Sequence, residues 1–278
     1  MFRVLKWMLF CTLMIGSVAQ AGGPVHAYFT TSDGVKLHYM TLGHKGTWVV
    51  LIHGYTDNAE RMFLKTGIAP ALAVNHRVLA FDHRNHGLSD KPEPNGIGRV
   101  EDAIELMNHL GIERAHIHGY SMGGSFTARL MASYPQRFIT AAFGGSGIGE
   151  TDEKLRSVAV ALDPPMPEPQ GEDASAFKRM RESSAARTKA AGTSNPKSAP
   201  QRAPLVIDLR TIQFPVLAIN GEYDRPYSKT QRMWRELANF QSVVIPKKNH
   251  FTAIMVGGPM PSEYIDALVK FINANDPK

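Results

Sequence analysis

A serine hydroxyl is a poor nucleophile until a base takes its proton and a third group orients that base. The stretch His118-Gly119-Tyr120-Ser121-Met122-Gly123-Gly124 has the spacing G-x-S-x-G, which sets a serine on a sharp strand-to-helix turn. The apolar, β-favouring run Ala115-His116-Ile117-His118 leads into it, and residues 125–132 read as a helix that stops near Tyr134-Pro135. A turn this tight holds the serine in a strained backbone conformation with its hydroxyl pushed outward. A side chain at 119 or 123 would crowd the turn, so glycine is needed at both. The helix start brings unpaired N–H groups and partial positive charge to the place where an oxyanion would form.

The partners of such a serine should follow it at the C-terminal ends of strands, acid first and histidine last. Asp224 fits the acid, because it follows the apolar strand 215–220 through Gly221-Glu222-Tyr223. Glu222 is a competitor on the same loop, and Asp152 would serve if the acid followed the preceding strand. His250 fits the base: of eleven histidines it alone lies beyond Asp224, within the loop after strand 242–245. His53-Gly54-Tyr55 closes the strand 48–52, and the backbone amides of Tyr55 and Met122 are the expected oxyanion donors. His53 is out of order for a base and is expected to brace its loop. The run Asp82-His83-Arg84-Asn85-His86-Gly87-Leu88-Ser89 reads as a structural turn, since its histidines lack a spacing such as H-E-x-x-H. No metal-binding or cofactor-binding residue is expected.

The elements that must position these groups alternate between strand and helix. Val35, Leu37 and Tyr39 alternate with polar residues after the Ser32-Asp33-Gly34 turn, a strand signal. Trp48–Ile52 is a continuous apolar run, as in a strand buried on both faces. Residues 59–74 read as a helix, 78–81 as a strand, 99–110 as a helix with one apolar face, and 138–143 as a strand. After the gap described next, a strand at 215–220, a helix near 229–239, a strand at 242–245 and a helix at about 261–273 close the chain. This order predicts an α/β fold with a mostly parallel sheet and helices on both faces.

The alternation breaks near residue 150. Seven of the eighteen prolines fall within 163–204, with many Ala, Ser and charged residues, and that composition cannot build a core layer. Residues 150–205 therefore read as a cap inserted on the sheet, with helices expected near 152–162 and 174–191 and a mobile centre. The core would comprise residues 22–149 and 206–278. At 278 residues, one large domain carrying an insertion accounts for the length.

Residues 1–21 have the pattern of a signal peptide. Arg3 and Lys6 precede the apolar run Trp7–Ala19, and Ala19-Gln20-Ala21 supplies small residues for cleavage near Ala21. The expectation is export, to a periplasm or beyond, with no stable membrane span after leader removal. The one cysteine, Cys11, lies in that leader, so the remaining chain has no disulfide, thiol nucleophile or thiolate metal ligand. The formal charge of +6 falls to +4 without Arg3 and Lys6, and the excess is spread without a basic run or aromatic platform. Nucleic acid is thereby excluded as an expected partner.

Taken together, His53-Gly54-Tyr55, Asp82–Ser89, Gly119-Tyr120-Ser121-Met122-Gly123, Gly221-Glu222-Tyr223-Asp224 and Asn249-His250 resemble the α/β-hydrolase fold over residues 27–275. The resemblance implies an eight-stranded, mostly parallel sheet with a cap after the sixth strand, and Ser121, Asp224 and His250 as a catalytic triad. Asn85 stands where that family often has glycine, which puts the detail of that turn in question. A serine at 121 argues against the dehalogenase and epoxide-hydrolase branches, whose nucleophile is aspartate. The function expected is an exported serine hydrolase acting on a small-molecule carboxylic ester without a cofactor. A carbon–carbon bond hydrolase, an amidase or peptidase, a cofactor-free perhydrolase and a binding protein of this fold are the alternatives.

Overall fold

The computed structural model describes residues 23–92, 98–167, 207–254 and 261–277, with single positions at 174, 175, 178 and 182. The leader, its cleavage site and most of the expected second cap helix lie outside the described residues.

The strands are β1 (Val25–Thr30), β2 (Lys36–Leu42), β3 (Trp48–Ile52), β4 (Arg77–Phe81), β5 (Ala115–Tyr120), β6 (Phe138–Gly144), β7 (Val216–Gly221) and β8 (Phe240–Ile245). They form one sheet in the order β1-β2-β4-β3-β5-β6-β7-β8. β2 runs antiparallel to β1 and β4, and every pairing from β4 to β8 is parallel. The α-helices whose full extent is described are α1 (Ile68–Ala73), α2 (Glu101–His109), α3 (Met122–Ser133), α4 (Glu153–Leu162), α5 (Pro226–Glu236) and α6 (Ser262–Ala274).

Alternate residues of each central strand feed two apolar cores, because successive side chains point to opposite faces. Val50 and Ile52 of β3 join Met107, Phe126, Leu130 and Met233 on the face covered by α2, α3 and α5. Val49 and Leu51 join Phe63, Leu72, Tyr264 and Leu268 on the face covered by α1 and α6. Every residue of β5 and β6 is buried, the polar ones included: His116 Nδ1 meets the Thr140 hydroxyl and His118 Nδ1 the Ala142 carbonyl.

Three expectations are corrected. β1 was not foreseen as a strand: it is an edge on which only Ala27 and Phe29 are half-buried against the core while its other residues are exposed, so its apolar signal is weak. The helix expected over 59–74 is two pieces, a π-turn at Glu60–Leu64 and α1, separated by Gly67 at φ 92°. Glycine takes that left-handed conformation without steric cost and ends the first piece. The helix expected at 229–239 begins three residues earlier, because Pro226 occupies its first turn, where its fixed φ and missing N–H are both tolerated.

At the end of the sheet remote from Ser121, His116 near the start of β5 meets the C-terminal segment. Its Nε2 lies 3.2 Å from Asp276 Oδ1, and Nδ1 lies 2.8 Å from the Thr140 hydroxyl. Thr47 donates to the same Asp276 oxygen and stands 3.0 Å from His76 Nδ1. Burial alone would raise the Asp276 carboxyl, but the bonds from Thr47 and His116 outweigh it and hold the group low. The residues after α6 are thereby tied to the floor of the sheet.

Candidate active site

Ser121 sits between β5 and α3 at φ 55°, ψ −112°. A non-glycine residue with positive φ is strained, and such strain persists only where the surroundings over-determine it. The surroundings here do so. A Cβ at Gly119 would overlap the Gly123 carbonyl, and one at Gly123 would overlap the Ile52 carbonyl. The Ser121 amide donates to Gly144 of β6 at 2.8 Å, and the amides of Gly124 and Ser125 donate back to the Ser121 carbonyl. The Met122 N–H thus precedes the first of the helix's own bonds, as the initial amides of a helix must.

The structure brings the three expected residues into one line. Nε2 of His250 is 2.8 Å from Ser121 Oγ, and Nδ1 is 2.9 Å from Asp224 Oδ2. Ser121 follows β5, Asp224 follows β7 and His250 follows β8, so all three leave the sheet at the same end. The competing carboxylates are employed elsewhere. Glu222 Oε2 accepts from the Lys247 amide at 2.8 Å, bracing the histidine loop. Asp152 caps α4 by accepting from the Leu155 amide at 3.0 Å, the ordinary task of an aspartate at a helix start.

Tyr55 and Met122, the expected oxyanion donors, line the same open cleft of about 640 Å³ as Ser121, His250, Ser146 and Lys229. The loop that carries Tyr55 is held from behind. His53 is fully buried, and its Nε2 accepts from the His83 amide at 3.0 Å. The histidine thus braces the loop, as expected, and stays out of the serine–histidine line. Nε2 of His86 lies 2.8 Å from the Tyr55 carbonyl. Asp82 accepts from the amides of Ala59 (2.8 Å) and Leu88 (2.9 Å) and stands 2.9 Å from His38 Nδ1. Burial would raise this carboxyl, but these donors hold it below its ordinary value. Asn85 takes the left-handed turn at φ 67°, which asparagine tolerates better than most residues.

Two functional side chains escaped the sequence reading. Tyr120, fully buried beside the nucleophile, donates its hydroxyl to the His250 carbonyl at 2.7 Å and so fixes the histidine loop. Burial, with the nearby Asp224 charge, pushes its phenol well above the ordinary value and keeps it a donor. Lys229 is the second: its ammonium pairs with Asp224 Oδ1. The tyrosine falls inside the G-x-S-x-G motif, but nothing in a linear sequence marks a lysine in a polar helix as a partner of the acid.

The sheet order, the elbow and the line of three residues form the frame of a known fold, and a family model described as alpha/beta hydrolase fold matches residues 47–158. The chain has the α/β-hydrolase fold. A dihydrolipoyllysine-residue acetyltransferase component of an acetoin cleaving system from Pseudomonas putida is 31% identical over 138 residues, covering 49% of this chain and 36% of that protein. The matches span only about a third of the length of the first curated relatives. Solved structures cover far more. A 2-hydroxy-6-oxo-6-phenylhexa-2,4-dienoate hydrolase from Rhodococcus sp. strain RHA1 superposes with TM-score 0.65 at 25% identity, covering 92% of this chain and 99% of that one. A serine hydrolase from Cycloclasticus zankles gives TM-score 0.67 at 21% identity, with 91% and 99% covered. This α/β-hydrolase-fold chain carries α4 between β6 and β7, where a cap is expected. Among the described residues, no helix is long and apolar enough to cross a membrane.

Proposed function

We propose that this protein is an exported serine hydrolase that cleaves small carboxylic esters through an acyl-enzyme. The observation that carries the reading is the Ser121–His250–Asp224 line, with contacts of 2.8 Å and 2.9 Å, opening into the cleft. In the first step Ser121 Oγ attacks the ester carbonyl carbon as its proton passes to His250 Nε2. Asp224 accepts the Nδ1–H, which fixes the tautomer and stabilises the imidazolium. The carbonyl π pair moves to oxygen, where the amides of Tyr55 and Met122 meet the charge; such a donor contributes roughly 10²–10³ in rate. Collapse breaks the bond to the alcohol, which leaves with the proton from His250. Water then repeats the sequence on the acyl-enzyme and releases the acid. No cofactor takes part in these steps.

The export part rests on the leader pattern of residues 1–21. N-terminal sequencing of the protein from its native host should begin at Gly22; a start at Met1 or Phe2 contradicts export.

Chromogenic esters of increasing acyl length, matched amides and a vinylogous diketone separate the activities that share such a triad. The reading predicts turnover of short esters well above that of the amides and the diketone. Preferential cleavage of the diketone would replace it with carbon–carbon bond hydrolysis.

A further inference from the structure

A triad acid has two carboxylate oxygens, and only one meets the histidine. Asp224 Oδ2 is 2.9 Å from His250 Nδ1. Oδ1 pairs with Lys229 Nζ, from the first turns of α5. The same ammonium donates to the Gly145 carbonyl at 3.2 Å, in the loop after β6. The amides of the acid's own turn serve backbone carbonyls, Asp224 donating to Gly221 and Tyr223 to Lys248 of the histidine loop. The Asp224 side chain is only 9% exposed and that of Lys229 24%, so breaking the pair would strand a largely desolvated charge.

The helix that carries the lysine is itself fixed. Asp163, at the end of α4, accepts from the amides of Tyr227 (2.8 Å) and Ser228 (3.2 Å). A Cβ at Gly147 would overlap the Lys229 carbonyl, so the loop after β6 packs directly on α5. Arg235 pairs with the buried Glu150 farther along the same helix.

We propose that Lys229 is a positioning residue that clamps the Asp224 carboxylate against His250, an inference that rests on the serine-hydrolase reading. A lysine clamp differs from a backbone amide in that it titrates. Burial lowers the Lys229 ammonium from its ordinary value, and Arg225 adds to this; Asp224 and Asp163 oppose it. Among the described residues, the ionisable groups around it are Asp224 on the acid loop, His250 on the histidine loop, Asp163 from the end of α4 and Arg225 at the start of its own helix. The clamp is present while Lys229 is charged and is lost as pH rises through its lowered value. Activity therefore falls on the alkaline side, below the ordinary lysine range.

The test is kcat and KM of the full chain for p-nitrophenyl acetate between about pH 6 and about pH 10. Lys229→Met should lower kcat roughly 10- to 100-fold, leave KM within about threefold, and abolish the alkaline limb. Lys229→Arg should retain kcat within about tenfold and move the alkaline limb upward, because guanidinium keeps its proton there. Wild-type kcat in Lys229→Met, or an unchanged alkaline limb in it, overturns the proposal. Where circular dichroism shows Lys229→Met unfolded, Lys229→Arg decides, and an unmoved limb overturns the proposal. A wild-type chain that neither turns over the ester nor takes a fluorophosphonate at Ser121 refutes the hydrolase reading instead. The clamp is then read from the low-field proton resonance of His250 Nδ1–H, which Lys229→Met should shift or broaden; an unmoved resonance counts against it.

Discussion

Replacing Asp224 by asparagine changes one oxygen to an amide and tests the acid with almost no change in shape. The side chain must then choose which atom faces His250 Nδ1 and which faces Lys229. An ammonium only donates, so it selects the amide oxygen, and the structure already places Nζ against Oδ1. The amide NH₂ is thereby turned toward Nδ1, 2.9 Å away in the native protein. Nδ1 must then accept, the ring proton moves to Nε2, and the atom facing Ser121 Oγ at 2.8 Å can no longer take the serine proton. The expected loss is about 10⁴ in kcat, or about 5 kcal/mol of barrier. The double variant Asp224→Asn with Lys229→Met frees the amide to turn its oxygen to Nδ1, and should regain about tenfold or more over Asp224→Asn alone. Stopped-flow hydrolysis of p-nitrophenyl acetate, with circular dichroism to verify folding, measures both. Glu222→Gln and Asp152→Asn are controls expected within about threefold of wild type, since these groups brace a loop and cap a helix. Asp224→Asn with kcat within about tenfold of wild type would refute the assignment of the acid, and a double variant no faster than the single one would refute the tautomer argument.

Gly123→Ala should destabilise the protein by about 3 kcal/mol, because its Cβ would overlap the Ile52 carbonyl in the centre of the sheet; a melting temperature within about 2 °C of wild type would contradict that. His118 is fully buried on β5, and burial pushes its ring down to about 4. Its neutral form donates from Nδ1 to the Ala142 carbonyl at 3.2 Å. Its contribution to stability, about 3 kcal/mol, is complete above about pH 6.5 and is lost as pH falls toward the folded value. His118→Gln should flatten the acid side of a plot of unfolding free energy against pH, and an unchanged slope would show that other groups drive acid unfolding.

The parts of the site legible in the sequence are those that the backbone dictates. Gly119 and Gly123 announced the elbow because the helix passes too close to the sheet for any side chain. Asp224 and His250 could be placed because they follow apolar strands whose order fixes the end at which they emerge. Strands β3 and β4 were plain because burial on both faces leaves a nearly unbroken apolar run. β1 was missed where that constraint lapses, at an exposed edge. The two-piece helix before β4 was missed because the periodic apolar residues continue through Gly67, and only its left-handed backbone marks the break. Lys229 stands close to Asp224 in sequence, but its ammonium is held there by the Gly145 carbonyl 84 residues away, and the Tyr120 hydroxyl reaches His250 across 130 residues. Such contacts arise only when the loops after β5, β6, β7 and β8 converge, and no local pattern records them.

The central claim is that folding activates one serine. Brief treatment of the native chain with a small fluorophosphonate, followed by intact-mass measurement and peptide mapping, tests it most directly. The account predicts one adduct per chain, located on Ser121, with none on Ser121→Ala and none on protein denatured beforehand, since the hydroxyl depends on His250 for its reactivity. An unlabelled native chain, or an adduct on another residue that persists in Ser121→Ala, would contradict it.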